Sequence, residues 1–369
     1  MRVALVHDWL TGMRGGEKVL DDLCALYPSA DLFTLVYVPG STSPTIERRR
    51  IVTSPLQRLP AAGRLYRYYL PLMPLAVRQF DLRGYDFVIS VSHCVVKSVR
   101  VPPGTRHLCY CLTPMRYAWD MFDDYFGPER VGRLGSAVIR PVMAALARWD
   151  RATAGRVQRY LAISQYVARR IALYYNRQST IVYPPVDTDF YSPDPAPVQP
   201  RFLVVSALVP YKRVDLAMRA ARLAGVRLTV VGDGPERAAL AALAGDGVEL
   251  VGRKSDEEVR ALYRTSVATV LPGEEDFGIV PVEAQACGRP VVALGRGGAL
   301  DTVVPGVTGV LVPEATPEAL ADGFRAALAG SWDGAVIRAH AERFSRQTFA
   351  EGITHAVGEM LEAPATRTW

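Results

Sequence analysis

Two carboxylates separated by seven residues are the feature of this sequence most suggestive of chemistry. Glu275 and Glu283 flank Gly278 and follow the apolar, β-branched run 267–271. This order predicts Glu275 in a loop after a strand and Glu283 in an early turn of a helix that Gly288 ends. Paired carboxylates beside the exposed N–H groups of a helix start suit the recognition of sugar hydroxyls. A purely structural role as helix-start acids is the alternative, and it explains Glu283 less well.

Two adjacent cations follow another apolar run. Lys212 and Arg213 lie in the loop that begins at Ser206, directly after the run 202–205. At a strand-to-helix junction, such a pair can neutralise a diphosphate, with the arginine binding in bidentate fashion. A solvated basic pair before a helix is the alternative reading of these residues taken alone.

A third loop, after the run 3–6, contains Gly15 and Gly16 before a helical pattern. Glycines let a backbone approach a ligand closely, and the N–H groups of a helix start favour a phosphate. Because the loop lacks the G-x-G-x-x-G spacing of dinucleotide binders, a plain turn is an equal alternative.

These loops must be positioned by strands, and both halves of the chain alternate short apolar runs with helical patterns. Near-continuous apolar runs predict parallel strands in sheets covered on both faces, hence two doubly wound α/β domains. Ligands bind at the carboxyl ends of such strands, so two domains in tandem are expected to face each other across a cleft. The predicted strands are 3–6, 32–36, 87–91, 108–111 and 160–163, then 202–205, 228–231, 248–251, 267–271, 291–294 and 309–312.

Proline marks the expected domain boundary. Six of the seventeen residues 184–200 are proline, a density that no helix or central strand tolerates. We expect an N-terminal domain at 1–183, an extended linker at 184–200 and a C-terminal domain at 201–348.

The chain has 369 residues and a net charge of +6, and this charge is unevenly distributed. Residues 1–183 carry 25 basic and 13 acidic residues, a net +12, whereas the remainder carries −6. Such a basic half suits an anion-rich surface, either nucleic acid or phospholipid headgroups. Eight of its arginines lie in residues 47–83 among tyrosines, and this segment is expected to lie on an anionic membrane. An ordinary basic helical surface is the alternative.

Five scattered cysteines, an odd number, argue against a disulfide framework and for a reducing compartment. The N-terminus reaches a charged residue too early for a signal peptide, and no run is long enough to span a membrane. We expect a cytoplasmic protein, soluble or peripheral at the inner face of the membrane. No D-x-D motif follows a strand, since Asp187-x-Asp189 lies in the proline-rich segment, so no metal site is expected.

The E-x7-E pattern, followed by A-x-A-C-G-x-P-V-V at 284–292, resembles the signature of glycosyltransferase family 4. Further motifs occur in that family's order, at 184–187, around Lys212, at 231–236 and at 251–253. The resemblance implies a retaining enzyme of the GT-B fold, with two Rossmann-like domains. Within the family, 110–120 and 209–215 resemble the O-antigen and polysaccharide mannosyltransferases that use GDP-mannose.

The resemblance also implies a role for each residue of a donor site. Glu283 would bind the ribose, Lys212 and Arg213 the diphosphate, and Glu275 the transferred sugar. The backbone of 277–280 would also contact the sugar, Gly252 and Arg253 would flank the base, and Gly15 and Gly16 would reach the phosphate from the opposite domain. The last helix, within 349–369, would return to the first domain. The implied donor-binding residues are Gly15, Gly16, Ser206, Lys212, Arg213, Gly252, Arg253, Glu275, Phe277, Gly278, Ile279, Val280 and Glu283.

Two positions depart from the family pattern. Ala207 replaces an arginine common in the family, so Arg213 is expected to supply that charge, and Leu112 replaces a frequent histidine. The catalytic candidates are therefore Glu275, Lys212, Arg213 and His93, with His7 as a weaker alternative to His93, although a lone histidine is more often a packed or capping residue.

The resemblance implies a retaining transferase that moves mannose from GDP-mannose to a glycan or lipid-linked acceptor, with no cofactor beyond the donor. Two alternatives use a similar donor site: a nucleotide-sugar epimerase of the same fold and a UDP-sugar-dependent transferase. A non-enzymatic nucleic-acid binder would explain the basic half but not the E-x7-E loop, so no nucleic-acid partner is expected.

Overall fold

The chain folds into two α/β units, each built on its own parallel sheet. The computed structural model describes residues 1–362. One unit comprises Met1–Pro185 with the described residues from Phe349 onward, and the other comprises Val186–Thr348. Two Rossmann-like parallel-sheet units are the fold class predicted from the sequence, and that prediction is confirmed.

The first unit has a seven-stranded sheet. Its second and third strands are added on one side of the first strand, and the remaining four on the other side, so the strand order reverses at the first strand. Its strands are β1 (Val3–Leu10), β2 (Asp31–Tyr37), β3 (Ile51–Thr53), β4 (Phe87–Ser92), β5 (Arg106–Cys111), β6 (Arg159–Ala162) and β7 (Ser179–Ile181). Across the sheet they run β3-β2-β1-β4-β5-β6-β7, all parallel. The helices are α1 (Gly15–Leu26), α2 (Pro44–Glu47), α3 (Ala62–Leu65), α4 (Met73–Ala76), α5 (Arg116–Trp119), α6 (Phe122–Phe126), α7 (Pro128–Ala152) and α8 (Gln165–Tyr175).

The central strands explain why their sequences are almost continuously apolar. Every residue of β4 is buried, as are all but one of β1, because helices cover both faces of the sheet. The sequence reading missed β3 and β7. Both are three-residue edge strands with no fully buried residue, so neither leaves an apolar run in the sequence.

The second unit has a six-stranded parallel sheet with the same kind of reversal. Its strands are β8 (Arg201–Val205), β9 (Arg227–Val231), β10 (Val248–Gly252), β11 (Thr269–Leu271), β12 (Val291–Leu294) and β13 (Gly309–Val312), in the order β10-β9-β8-β11-β12-β13. Since the order reverses between β8 and β11, the loops after these two strands flank the switch point at which α/β sheets bind ligands. The helices are α9 (Val214–Ala224), α10 (Arg237–Leu243), α11 (Asp256–Thr265), α12 (Ile279–Ala286), α13 (Ala299–Thr302), α14 (Pro317–Ala329) and α15 (Gly334–Ala341), and only the start of the final helix, α16 (Arg346–Glu362), lies in this unit.

Local signals set the helix ends in this unit. Ser255 Oγ accepts the Glu258 N–H at 3.2 Å, while the Ser255 N–H donates to the Glu258 carboxylate at 2.8 Å. This capping box starts α11. Gly225 ends α9 in the left-handed conformation, at φ 66°.

The proline-rich segment packs on the second unit instead of spanning freely between the units. The boundary falls between Pro185 and Val186. Tyr191 is buried with its ring edge-on to Tyr263, at 5.8 Å, and Arg264 Nε donates to the Ser192 carbonyl at 2.6 Å. These contacts tie the segment to α11.

The last helix, α16, belongs to the first unit from Phe349 onward. Phe349 packs edge-on against Tyr110 of β5 at 5.5 Å, and Glu359 pairs with Arg159 of β6 at 2.6 Å. The sequence reading placed this helix within 349–369, and residues 363–369 of that range lie outside the described residues. Among residues 1–362, no helix combines the length and the apolar character needed to cross a bilayer.

Candidate functional site

Lys212 and Arg213, the two cations predicted to bind a diphosphate, lie beside the switch point of the second sheet. After β8, a short 3-10 turn at Pro210–Lys212 brings the chain to Arg213, which adopts a left-handed conformation with φ 52° before α9 begins. This bend separates the two cations. Lys212 is 18% exposed and forms an ion pair with Glu275, whereas Arg213 Nε donates to Asp215 Oδ1 at 3.2 Å.

Glu275 is positioned by the loop after β11, which packs closely against two neighbouring loops. The Gly298 N–H donates to the Glu275 carbonyl at 2.8 Å, and a side chain at Gly298 would meet the Phe277 backbone at 2.3 Å. On the other side, a side chain at Gly273 would lie 2.6 Å from the Tyr211 carbonyl oxygen. Only glycine permits these approaches, so the three loops hold Glu275 and Lys212 together.

The start of α12 contributes backbone donors next to this ion pair. Gly278 caps the helix at φ 90°, a conformation that favours glycine, and Ile279 and Val280 form its first turn. The first N–H groups of a helix have no partner within the helix, which makes this end suitable for an anion or a hydroxyl oxygen. The Phe277 ring is buried and packs edge-on against Phe344 at 5.6 Å, so Phe277 offers its backbone to this site.

The second carboxylate of the E-x7-E pattern lies deeper. Glu283 is 5% exposed, and the Tyr263 hydroxyl donates to its Oε2 at 2.9 Å. Burial, with the charge of Glu283 adding to it, raises the pKa of Tyr263 well above its usual range. Tyr263 therefore stays protonated and serves as a hydrogen-bond donor to this carboxylate. The sequence reading did not identify Tyr263, whose place on the buried face of α11 reads as core.

The remaining predicted residues of the second unit lie at the ends of β8 and β10, the two strands that flank β9. Ser206 follows β8 and donates its N–H to the Val231 carbonyl at 3.0 Å. Gly252 ends β10 at φ 73°, accepts the Gly232 N–H at 2.8 Å and precedes the exposed Arg253. The sequence reading missed Arg237, whose guanidinium would lie 3.3 Å from a side chain placed at Gly252.

In the first unit, the two predicted glycines begin α1 beside a buried histidine. Gly15 is exposed, and a side chain at Gly16 would lie 2.9 Å from Leu112 and 3.4 Å from His7. His7 Nε2 lies 3.9 Å from Glu17 Oε1. Burial raises the pKa of Glu17, but the attraction of His7 outweighs it, and the pKa lies below its usual value.

His93 lies after β4, against a carboxylate that the sequence reading did not include. Its Nδ1 is 3.3 Å from Asp8 Oδ2, and its ring packs edge-on against Trp9 at 4.5 Å. Enclosure by the surrounding protein lowers the pKa of His93, against the opposing pull of Asp8. Asp8 itself is fully buried and accepts four backbone N–H groups at 2.8–3.1 Å, those of His93, Cys94, Val95 and Val96.

The structure thus brings Lys212 and Glu275 into direct contact and places the start of α12 in the same loop as Glu275. Arg213 is directed toward Asp215, while Gly15, Gly16 and His93 belong to the first unit. Within residues 1–362, no group of three or more histidine, cysteine, aspartate or glutamate side chains is arranged to hold a metal ion.

Similarity to known proteins was found over both units. Residues 13–190 match the family model "Glycosyltransferase Family 4", and residues 187–348 match "Glycosyl transferases group 1". A D-inositol 3-phosphate glycosyltransferase of Mycobacteroides abscessus is 35% identical over 206 residues, covering 49% of this chain and 46% of the relative. The enzyme of the same name from Mycobacterium bovis is 36% identical over 155 residues, 36% of this chain and 32% of its own length. The chain therefore spans less than half of the length of these curated relatives.

Solved structures of similar fold cover nearly the whole chain. Anabaena Alr3699/HepE in complex with UDP has a TM-score of 0.70 at 20% identity, over 97% of this chain and all of that one. Sucrose-phosphate synthase from Thermosynechococcus elongatus has a TM-score of 0.69 at 18% identity, over 99% and 100%. The matched regions together span residues 13–348, so each unit is similar to a domain found in glycosyltransferases.

Proposed function

We propose that this protein is a retaining glycosyltransferase that transfers mannose from GDP-mannose to a glycan or lipid-linked acceptor. The observation that carries the proposal is the contact between Lys212 and Glu275 at the switch point of the second sheet. Both side chains retain some exposure, so a donor can reach them. A cation and a carboxylate at this point suit a ligand with an anionic end and a hydroxyl-rich end.

The chemistry follows from the charges that develop during transfer. Breaking the bond between the sugar C1 and the phosphate oxygen leaves a diphosphate, whose added negative charge Lys212 stabilises. In the structure Glu275 pairs with this cation. On donor binding, the diphosphate takes its place and Glu275 turns to the sugar hydroxyls. The acceptor hydroxyl then bonds to C1 from the side that the phosphate leaves, and the leaving phosphate takes its proton.

Glu283 and Arg213 have supporting roles in this proposal. The Tyr263 hydroxyl fixes the buried Glu283 carboxylate, which leaves acceptor capacity on that group for a ribose hydroxyl. Arg213 reaches the diphosphate by exchanging Asp215 for phosphate, an exchange that its partial exposure allows.

A UDP-sugar donor is the second candidate, and a specific observation favours it. Alr3699/HepE, which is similar in fold over 97% of this chain, was solved with UDP-glucose. Thermal shifts with GDP, GDP-mannose, UDP and UDP-glucose at equal concentration discriminate the two, since a ligand at free concentration L stabilises the folded state by RT ln(1 + L/Kd), and the tighter ligand therefore gives the larger shift. A larger shift with GDP compounds supports the mannosyl donor, and a larger shift with UDP compounds replaces it. Formation of the epimeric nucleotide sugar without any acceptor would instead indicate an epimerase.

The direct test of the site is substitution of the ion pair. We expect Lys212→Ala and Glu275→Ala each to lower transfer at least ~100-fold, because each removes a charge that acts on the donor in the transition state. The melting temperature should change little, since neither side chain is part of the core. Lys254→Ala is the matched control. It removes another lysine–glutamate ion pair of the same unit, in which Lys254 Nζ lies 3.0 Å from Glu258 Oε1, at the protein surface. Wild-type transfer by folded Lys212→Ala protein would contradict the assignment.

A further inference from the structure

Two buried tyrosines from separate parts of the second unit surround the Glu283 carboxylate. Tyr263 lies on α11 and is fully buried, and Tyr191 lies in the proline-rich segment and is 4% exposed. The two rings pack edge-on at 5.8 Å, and the Tyr263 hydroxyl donates to Glu283 Oε2 at 2.9 Å. Burial, with the charge of Glu283 and a hydrogen bond to that carboxylate adding to it, raises the pKa of Tyr191 well above its usual range. Tyr191 therefore keeps its proton and is a second donor to Glu283.

Two neutral donors satisfy this carboxylate and still leave it able to accept further hydrogen bonds. Burying a carboxylate is costly unless hydrogen bonds replace the lost water. A lysine or arginine partner would meet that need by neutralising the charge of Glu283, whereas tyrosine hydroxyls meet it without doing so. A carboxylate has about four acceptor sites, so two phenol donors leave capacity for the hydroxyls of a ligand.

The position of Tyr191 is tied to the helix that contains Glu283. Arg338 Nη1, on α15, donates to the Tyr191 carbonyl at 3.0 Å and to the Ala286 carbonyl at 2.8 Å. Ala286 is the last residue of α12, which also carries Glu283. The Tyr191 N–H donates to the Asp187 carbonyl at 2.9 Å, which closes a turn in the proline-rich segment. One guanidinium therefore joins the backbone of Tyr191 to the helix of its carboxylate partner.

We propose that Tyr191 is a positioning residue whose hydroxyl, together with that of Tyr263, aims the Glu283 carboxylate at the ribose hydroxyls of a nucleoside diphosphate. The inference rests on the proposed function, in which Glu283 binds the ribose. With donors from α11 and from the proline-rich segment, the carboxylate cannot rotate without breaking a hydrogen bond. Its remaining acceptor sites keep one direction, so ligand binding does not have to order them. Because the base takes no part, the inference applies equally to guanine and uracil nucleotides.

Removal of the ribose hydroxyls tests this role. Titration calorimetry on the full chain measures the dissociation constants of GDP, UDP and their 2′,3′-dideoxy analogues. For whichever base binds, the wild type should bind the ribonucleotide at least ~10-fold more tightly than the dideoxy form, because the dideoxy form cannot donate to the charged carboxylate. In Tyr191→Phe this ratio should fall about 3-fold or more, since a misdirected carboxylate weakens only the ribonucleotide. The affinity for the dideoxy form should remain that of the wild type.

Two further variants separate the positioning of the carboxylate from a general loss of stability. Tyr175→Phe is the matched control, because it removes a buried tyrosine hydroxyl that donates to Asp150 Oδ2 at 2.8 Å in the first unit. It should leave the ratio unchanged, and its melting temperature shows what a comparable loss does to stability. Tyr263→Phe should lower the ratio as Tyr191→Phe does.

The results that overturn the inference differ from those that overturn the proposed function. A wild-type ratio in folded Tyr191→Phe, or equal weakening of the ribonucleotide and the dideoxy form, would overturn the inference alone. A wild type with no preference for the ribonucleotide would mean that Glu283 does not bind ribose, which also overturns the inference. A wild type that binds neither GDP nor UDP would overturn the proposed function and the inference with it.

Discussion

Buried polar side chains in the first unit differ in how their polarity is satisfied. The Asp8 carboxylate is fully buried yet accepts four backbone N–H groups, which fixes the loop after β4. Lys97 and Asp150 are also buried and pair at 2.8 Å. Burial of such groups is tolerable only when partners replace the lost water. His107 is enclosed in another way, with Ser90 Oγ 2.9 Å from its Nε2 and the Arg156 carbonyl oxygen 3.3 Å from its Nδ1.

The pH dependence of stability should report His107. Burial, opposed in part by the Arg156 carbonyl, lowers the pKa of His107 to about 4. Between its unfolded value of about 6.5 and about 4, the unfolded chain takes up a proton that the folded protein refuses, so stability falls as pH falls. From about pH 7.5 to about pH 5, this residue should cost about 2 kcal/mol.

Urea denaturation at the two pH values measures this difference. In His107→Gln the loss of unfolding free energy between the two pH values should be smaller than in the wild type by about 2 kcal/mol. His355→Gln is the control, because the His355 side chain is exposed on α16, and its loss on acidification should match that of the wild type. An unchanged loss in His107→Gln would show that other groups cause the acid sensitivity.

At the scale of elements, the candidate site depends on loops that pack backbone to backbone. The loop of Glu275 is held by Gly298 on one side and by Gly273 on the other, so its position depends on residues without side chains. Gly298 has φ −72°, which any residue adopts, and its requirement for glycine is therefore steric. The loops after β8, β11 and β12 are in direct backbone contact at Gly273 and Gly298, so a shift of one loop is expected to shift the others.

Gly298→Ala tests this packing. Its Cβ would lie 2.3 Å from Phe277 Cα, so the loop must shift, at a cost of about 1–3 kcal/mol. Because the shift separates Glu275 from Lys212, we expect the nucleotide-induced thermal shift and the transfer rate both to fall. Gly358→Ala is the control, because no atom lies within 4 Å of the added Cβ. Its stability, nucleotide-induced thermal shift and transfer rate should all remain near those of the wild type. Full donor response in Gly298→Ala would show that the close packing is not required by the site.

At the scale of the whole molecule, the chain leaves the first unit at Pro185 and contributes to it again from Phe349. Phe349 is almost fully buried against Tyr110, and Gly352 lies close to Val182, so α16 completes the first unit's core. The final helix therefore contributes to the core of the N-terminal unit, although it comes last in the chain.

Truncating Phe349 should destabilise the first unit. Phe349→Ala should cost about 3–5 kcal/mol of unfolding free energy, from lost burial and the cavity left behind. Leu361→Ala on the same helix removes a half-exposed side chain and should cost less than ~1 kcal/mol. Urea denaturation checks both values. Equal stability of the two variants would mean that α16 does not support the core.

The sequence by itself determined the features that depend on neighbouring residues. Apolar runs predicted the central strands, and Gly288 predicted the end of α12, because burial on both faces and backbone sterics act locally. The E-x7-E spacing predicted a loop carboxylate and a helix carboxylate, and Glu275 and Glu283 occupy those places.

Only the tertiary structure decided which distant groups meet. Strand order brings Lys212 to Glu275 across 63 residues and Asp8 to His93 across 85, and no local pattern encodes either distance. The edge strands β3 and β7 were missed because each is three residues long with no fully buried residue, and Tyr263 was missed because its position on α11 reads as core.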